Sequence, residues 1–235
     1  MCANYLPTSP SDLSTAFGVE LPGASWVAEA WPGMRAPIVL GGSGAAGARA
    51  LPSAGAADAP ARHAVLAVFG LIPPWSRDGR DARHCYNARS ETVAEKPSFR
   101  HAWRQRQWCV VPAQAFFEPR YDEGRAVRWR IAGVDDEPFA IAGIWESWRS
   151  PAGETVRSFS MLTINADGHP VMAAFHAPDD EKRSVVLLED AQIDAWLGAG
   201  HAQARALLQP FAPQRVRCAS DPRPPRATAS RSPAG

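Results

Sequence analysis

The sequence predicts an α+β fold dominated by antiparallel sheet, and three observations carry that reading. Strand-like runs outnumber helical ones, no βαβ alternation is present, and two neighbouring runs are joined by a short turn that makes a hairpin. A chain of 235 residues that is 46% apolar and holds nine tryptophans can bury a sizeable core, as one large domain or two small ones.

Taken in order, residues 1–40 are mixed, with Pro7, Pro10, Pro22, Pro32 and Pro37 breaking any long helix. A helix is predicted over 11–17. Segment 41–60 is rich in Gly and Ala with almost no large side chain, which predicts a flexible surface loop rather than a linker between domains. Runs 64–71 and 107–117 are apolar and β-favouring, the second interrupted by Pro112. Val127, Trp129 and Ile131 alternate with Arg128 and Arg130, the period-2 pattern of a half-buried strand, and the turn at 121–125 pairs it with the preceding run. Further strands are predicted at 139–148, 158–164 and 184–188, and helices at 96–105, 193–197 and 201–208. Segment 219–235 has four prolines and three arginines among small residues and no apolar anchor, so a disordered tail is expected there.

Composition excludes several classes. The formal net charge of +1 gives no global sign of a nucleic-acid partner. No apolar run approaches the roughly 18 residues of a membrane span. Residues at the start lack the charged and apolar regions of a signal peptide, so a cytoplasmic location is expected. Cys2, Cys85, Cys109 and Cys218 are far apart, with no CxxC pair and no zinc-type spacing, so neither a metal nor another cofactor is expected. Cys109 lies in the apolar stretch WCVVPA and reads as a small buried hydrophobe.

Two local features carry chemistry. Between Arg100 and Arg130 stand seven arginines against three acids, with Trp103, Trp108 and Trp129 among them. That mixture suits phosphate contacts and base stacking, and equally a solvated arginine-rich strand face. Cys2 follows Met1 and precedes the small Ala3. Removal of Met1 leaves a 1,2-aminothiol, whose amine has a pKa of about 8 and can attack an aldehyde before the sulfur closes a five-membered ring. Taken alone, a cysteine at position 2 is more often incidental.

Four blocks, with three further segments downstream, change the weight of that residue. MCANY opens the chain; FGLIPPW spans 69–75; YNARSET spans 86–92, followed by EKPSFRHAW; WCVVPAQAFFEP spans 108–119 and precedes FAIAGIWESW, SFSMLTINADGHP and FHAPDDEKRSVVLL. In content and order they resemble the SOS response-associated peptidase (SRAP) family of abasic-site processing proteins. Its usual blocks are MCGR, WGLIPxW, NARSET, CxxPAxGFYEW, AGLWExW and HDRMP. The resemblance implies an SRAP-like fold, with antiparallel sheets forming a barrel-like core flanked by short helices, as a single domain over 1–215. It also implies self-crosslinking of Cys2 to the ring-opened sugar of an abasic site in single-stranded DNA, through a thiazolidine, by a monomer.

By position within the matching motifs, the resemblance makes Cys2 the nucleophile and Glu118 a proton relay. Asn87 would hold the N-terminus or a sugar hydroxyl, and Arg89 would fork onto a phosphate. His176 would act as acid or base, with His169 as its competitor seven residues earlier. Phe69 and Trp75 would flank the lesion, although a tryptophan there is also a natural core residue. Asn4 stands where the family has a strand-facing arginine, and Lys182 and Arg183 are candidates to restore the positive charge missing from the HAPDDEKR segment. The chemical groups survive these departures, while the strand-contacting periphery is rearranged. A thiol peptidase built on Cys2, His176 and Glu118, an abasic-site lyase acting through the same Schiff base, and a non-enzymatic single-strand binder are the rival readings.

Overall fold

The computed structural model describes residues 2–42 and 62–223. The strands and helices of this part are β1 (Tyr5–Pro7), α1 (Pro10–Phe17), β2 (Arg35–Leu40), β3 (His63–Phe69), β4 (Asn87–Arg89), α2 (Arg100–Arg104), β5 (Trp108–Asp122), β6 (Arg125–Gly133), β7 (Phe139–Arg149), β8 (Thr155–Asn165), β9 (Arg183–Val185), β10 (Leu187–Leu188), α3 (Ile193–Leu197), α4 (His201–Leu207) and β11 (Val216–Ser220). Apart from Gly41 and Gly42, the Gly/Ala-rich loop lies outside the described residues. No helix among the described residues is long and apolar enough to cross a membrane.

Five strands close on themselves. β5 pairs β7, β7 pairs β8, β8 pairs β3, β3 pairs β2, and β2 returns to β5 through Val39 and Val110. The barrel expected from the family resemblance is therefore present, with one correction to the antiparallel reading. β8 runs parallel to both β3 and β4, because a long crossover through β5, β6 and β7 returns the chain in the same direction. Strand alternation divides the core. Ile38, Ala67, Val111, Ile141 and Met161, one from each barrel strand, share one apolar cluster. Their neighbours Val39, Val110, Ala142 and Leu162 face the other way, against Leu13, Phe17 and Trp196 of the helices. Each fully buried side chain of this size contributes about 1.5–3 kcal/mol.

Local chemistry fixes the elements. Ser9 caps α1, its Oγ accepting from the Asp12 N–H at 3.1 Å, with Pro10 in the first turn and Gly18 closing the helix at φ 67°. Glu123 and Gly124 both take positive φ, 51° and 78°, which is what a two-residue hairpin turn between β5 and β6 requires. Pro112 does not interrupt β5: it stays in register opposite Ala140, and its carbonyl accepts from Thr8 N–H. The core tryptophans are satisfied, Trp108 donating to Ala199 O and Trp196 to Cys109 O.

Pro37 does not prevent β2, whose run Ile38–Leu40 is buried in the closed barrel. Two expectations are corrected here. Residues 219–223, placed in the expected disordered tail, are instead held in the fold: β11 pairs β6 through Ser220↔Trp129, and Arg223 stacks on Trp31 and bonds Glu29. Residues 224–235 lie outside the described part. Phe69, a candidate for flanking a DNA lesion, is fully buried; its ring lies 5.2 Å edge-on from Tyr5 and 5.3 Å stacked on Phe159. Strand alternation turns it into the barrel, out of reach of any DNA strand.

Gly70, the next residue, has φ 105°, and a Cβ there would come within 1.8 Å of the Ala82 carbonyl oxygen. Gly70→Ala is expected to lower the free energy of unfolding by at least about 3 kcal/mol, read from urea unfolding curves.

Candidate active site

The register of β1 on β5 sets the site. Tyr5 pairs with Phe116 and Leu6 with Ala115, and Phe117 N–H donates to Asn4 O, so the ladder continues toward the N-terminus. Followed back two further residues, this antiparallel alignment sets Cys2 alongside the Glu118–Pro119 step of β5. A second strand grips the same residue: β4 lies parallel to β8, and Asn87 Nδ2 donates to the Cys2 carbonyl at 2.8 Å. His176 arrives from a separate segment and is stitched to β5 through its N–H, which donates to Pro119 O at 2.7 Å. Its Nε2 lies 2.9 Å from Oε2 of Glu118.

Cys2, Asn87, Glu118 and His176 are thus brought together, and all four are buried, Cys2 at 1% and Glu118 at 2% exposure. His176 is held at φ 67°, a left-handed conformation that costs a non-glycine residue roughly 1 kcal/mol or more and is met most often at functional sites. Burial, and after it the Glu118 carboxylate, push the Cys2 thiol well above its ordinary range, so the sulfur is protonated at neutral pH. The phenols of Tyr5 and Tyr86 are pushed up, chiefly by burial. Asn87 Oδ1 and His176 Nδ1 are buried with no hydrogen-bond partner among the described residues. An imidazole against a carboxylate, beside a buried thiol, can move protons between them. No group of three His, Cys, Asp or Glu side chains among the described residues is placed to hold a metal ion.

His169 has a different task. Its Nδ1 accepts from the N–H groups of Val171 and Met172, both at 3.1 Å, and Nε2 lies 2.9 Å from Phe211 O, so it braces the turn before His176. Arg120, a conceivable partner for Glu118, pairs with Asp122 instead.

The candidate DNA contacts fare unevenly. Trp75 is 55% exposed, and its ring is held by an indole N–H to Pro97 O. Arg89 is half-exposed but already bonded to Glu181 at 2.8 Å. Arg183 is not a surface cation: its side chain is 2% exposed and bonded to Glu91, Glu181 and Thr163. Burying a guanidinium is tolerable only with such partners, and these leave it no free donor face for a phosphate. Asn4 is buried and bonded to Glu29, which also takes Arg128 and Arg223. Sequence reasoning missed Glu29 and Tyr86, and only the run of tyrosine directly before NAR offered any signal for the second.

Burial alone would raise the Glu91 carboxyl, but the Arg183 bonds outweigh it and hold the group below its ordinary range. The stability it adds is present at neutral pH and lost as pH falls below about 4. Arg183→Ala is expected to cost about 2 kcal/mol at pH 7 and to remove that acid step, as measured by urea unfolding at pH 7 and 3.5. With iodoacetamide at pH 8, Cys218 should be alkylated well before Cys2; peptide mass spectra showing Cys2 modified first would contradict the protonated, buried thiol.

Solved structures share this fold, and named relatives match part of the sequence. A Bordetella bronchiseptica protein superposes with a TM-score of 0.80 at 33% identity, over 94% of this chain and 99% of its own. A Bacteroides thetaiotaomicron protein at 21% identity and a TM-score of 0.72 shares the fold, over 93% of this chain and 91% of its own. Abasic site processing protein YoqW of Bacillus subtilis is 33% identical over 147 residues, 61% of this chain and 62% of that protein. Abasic site processing protein HMCES of Mus musculus is 23% identical over 182 residues, 65% of this chain and 50% of its own. The matches thus span about half to three-fifths of the lengths of these named relatives. A family model described as SOS response associated peptidase (SRAP) matches residues 1–220, and the chain belongs to that family.

Proposed function

We propose that this chain processes abasic sites in single-stranded DNA by trapping the sugar aldehyde on Cys2. The observation that carries the proposal is the burial of Cys2 against the Glu118–His176 pair, with Asn87 fixing its carbonyl. The relatives named for abasic-site processing supply the substrate class.

Once Met1 is removed, the Cys2 nitrogen is a free amine. It attacks the C1′ aldehyde of the open-chain sugar to give a carbinolamine. Glu118 and His176 deliver a proton to the departing hydroxyl, water leaves, and a Schiff base remains. The thiol then adds to the imine carbon, its proton passing to the nitrogen, and closes the thiazolidine. One water is lost overall. The raised thiol favours this order, since a protonated sulfur lets the amine react first. It also argues against a thiol peptidase, which needs its cysteine pKa lowered rather than raised. Lyase chemistry shares the Schiff base and follows if ring closure fails.

Intact mass spectrometry of untagged protein with a single-stranded oligonucleotide carrying one abasic site is the direct test. The expected product weighs protein plus oligonucleotide minus one water, and is absent with undamaged DNA. Cys2→Ala should form no stable adduct; a heat-stable adduct from that variant would sink the assignment. Glu118→Gln should slow adduct formation by roughly 10²-fold while leaving binding of intact DNA unchanged.

A further inference from the structure

Many of the arginines are neutralised by carboxylates; among the exposed ones that are not, which include Arg35, Arg77, Arg83, Arg125, Arg149 and Arg157, three stand together beside one groove. Arg89 and Arg183 face Glu181 and Glu91, and Arg120, Arg128, Arg130, Arg215, Arg217 and Arg223 also have acidic partners. Arg100, Arg104 and Arg106 are exposed and pair with no carboxylate among the described residues. Arg100 and Arg104 stand four apart on α2, hence on one face. Arg106 follows directly, held at φ 53°, a left-handed conformation that turns the chain sharply at the helix end.

These residues border two adjoining cavities of about 550 and 470 Å³, which share His101 and Gln105. Trp75 and Pro97 form the wall of the first, so a half-exposed indole stands across from Arg100 and Arg104. Glu146, bonded to His101 Nδ1 at 2.6 Å, is buried and lines neither cavity. The groove therefore presents three guanidiniums and one aromatic face to solvent.

We infer that this groove, from Trp75 along Arg100 and Arg104 to Arg106, seats the backbone of the single DNA strand beyond the lesion. Guanidiniums would fork onto successive phosphates while a base stacks on the indole. The inference rests on the strand being the partner of the Cys2 site, but the groove can be tested without any covalent chemistry. Trp103 and Trp108, which the sequence interleaves with these arginines, are buried and serve the core instead.

The experiment is fluorescence anisotropy of full-length protein with an undamaged oligo-dT strand across a salt series, comparing wild type, R100Q/R104Q and R100K/R104K. Removing two phosphate contacts should weaken binding roughly tenfold near 100 mM salt and flatten the slope of log K against log salt by about 1.4. The lysine pair should restore most of that slope, which a merely misfolded surface would not. Equal slopes in all three proteins, or no binding of the undamaged strand by wild type, would overturn the groove. Adduct formation on the abasic strand is scored separately. A wild-type protein that forms no adduct while the glutamine pair still flattens the slope would sink the Cys2 reading and uphold the groove.

Discussion

The antiparallel pairing of three N-terminal residues with the middle of β5 is the contact on which the site depends. Strand pairing is a register device: a slip of one residue turns every side chain to the opposite face. Tyr5 locks the register by inserting its ring against Phe69 in the barrel, and Asn4 extends it by one backbone hydrogen bond to Phe117. The position of Cys2 beside Glu118 follows from that count. Asn87 then holds the carbonyl of Cys2 from a strand that has no covalent proximity to either, so the residue is fixed from two directions.

β5 is the common support. One end closes the barrel against β2 and β7, and its other end carries Glu118, receives β1 and His176, and bends away into the hairpin with β6. A strand rooted in a closed barrel moves little, which suits a site where a carboxylate and an imidazole stand about 3 Å apart. Charges around the site follow a different rule. Buried guanidiniums such as Arg183 are enclosed by carboxylates, while solvent-facing ones on α2 pair with no carboxylate among the described residues.

Much of this was legible in the residues. Alternation in 125–133, the hairpin turn, and the helices at 193 and 201 were readable because they are local patterns with local causes. The four chemical residues were legible through the motif blocks in which they stand, and the structure brings them together. What was not legible has a common physical origin. Phe69 and Trp75 share one block, yet strand alternation buries the first and a loop exposes the second. Nothing in the spacing of Arg183 shows that Glu91 and Glu181 enclose it, because that cluster joins segments 92 residues apart. β2, β4 and β11 are short or interrupted by proline, and each exists only because a neighbouring strand is there to pair with it. The parallel setting of β8 is a property of the crossover and leaves no mark on the strand's own residues.

The left-handed backbone of His176 has a consequence for how such a protein can evolve. Glycine would relax that backbone, yet it would remove the buried imidazole that faces Glu118. Backbone ease and the side chain therefore pull this one codon in opposite directions. A lineage that no longer needs the reaction would be expected to drift toward glycine at this position while the rest of the barrel stays unchanged.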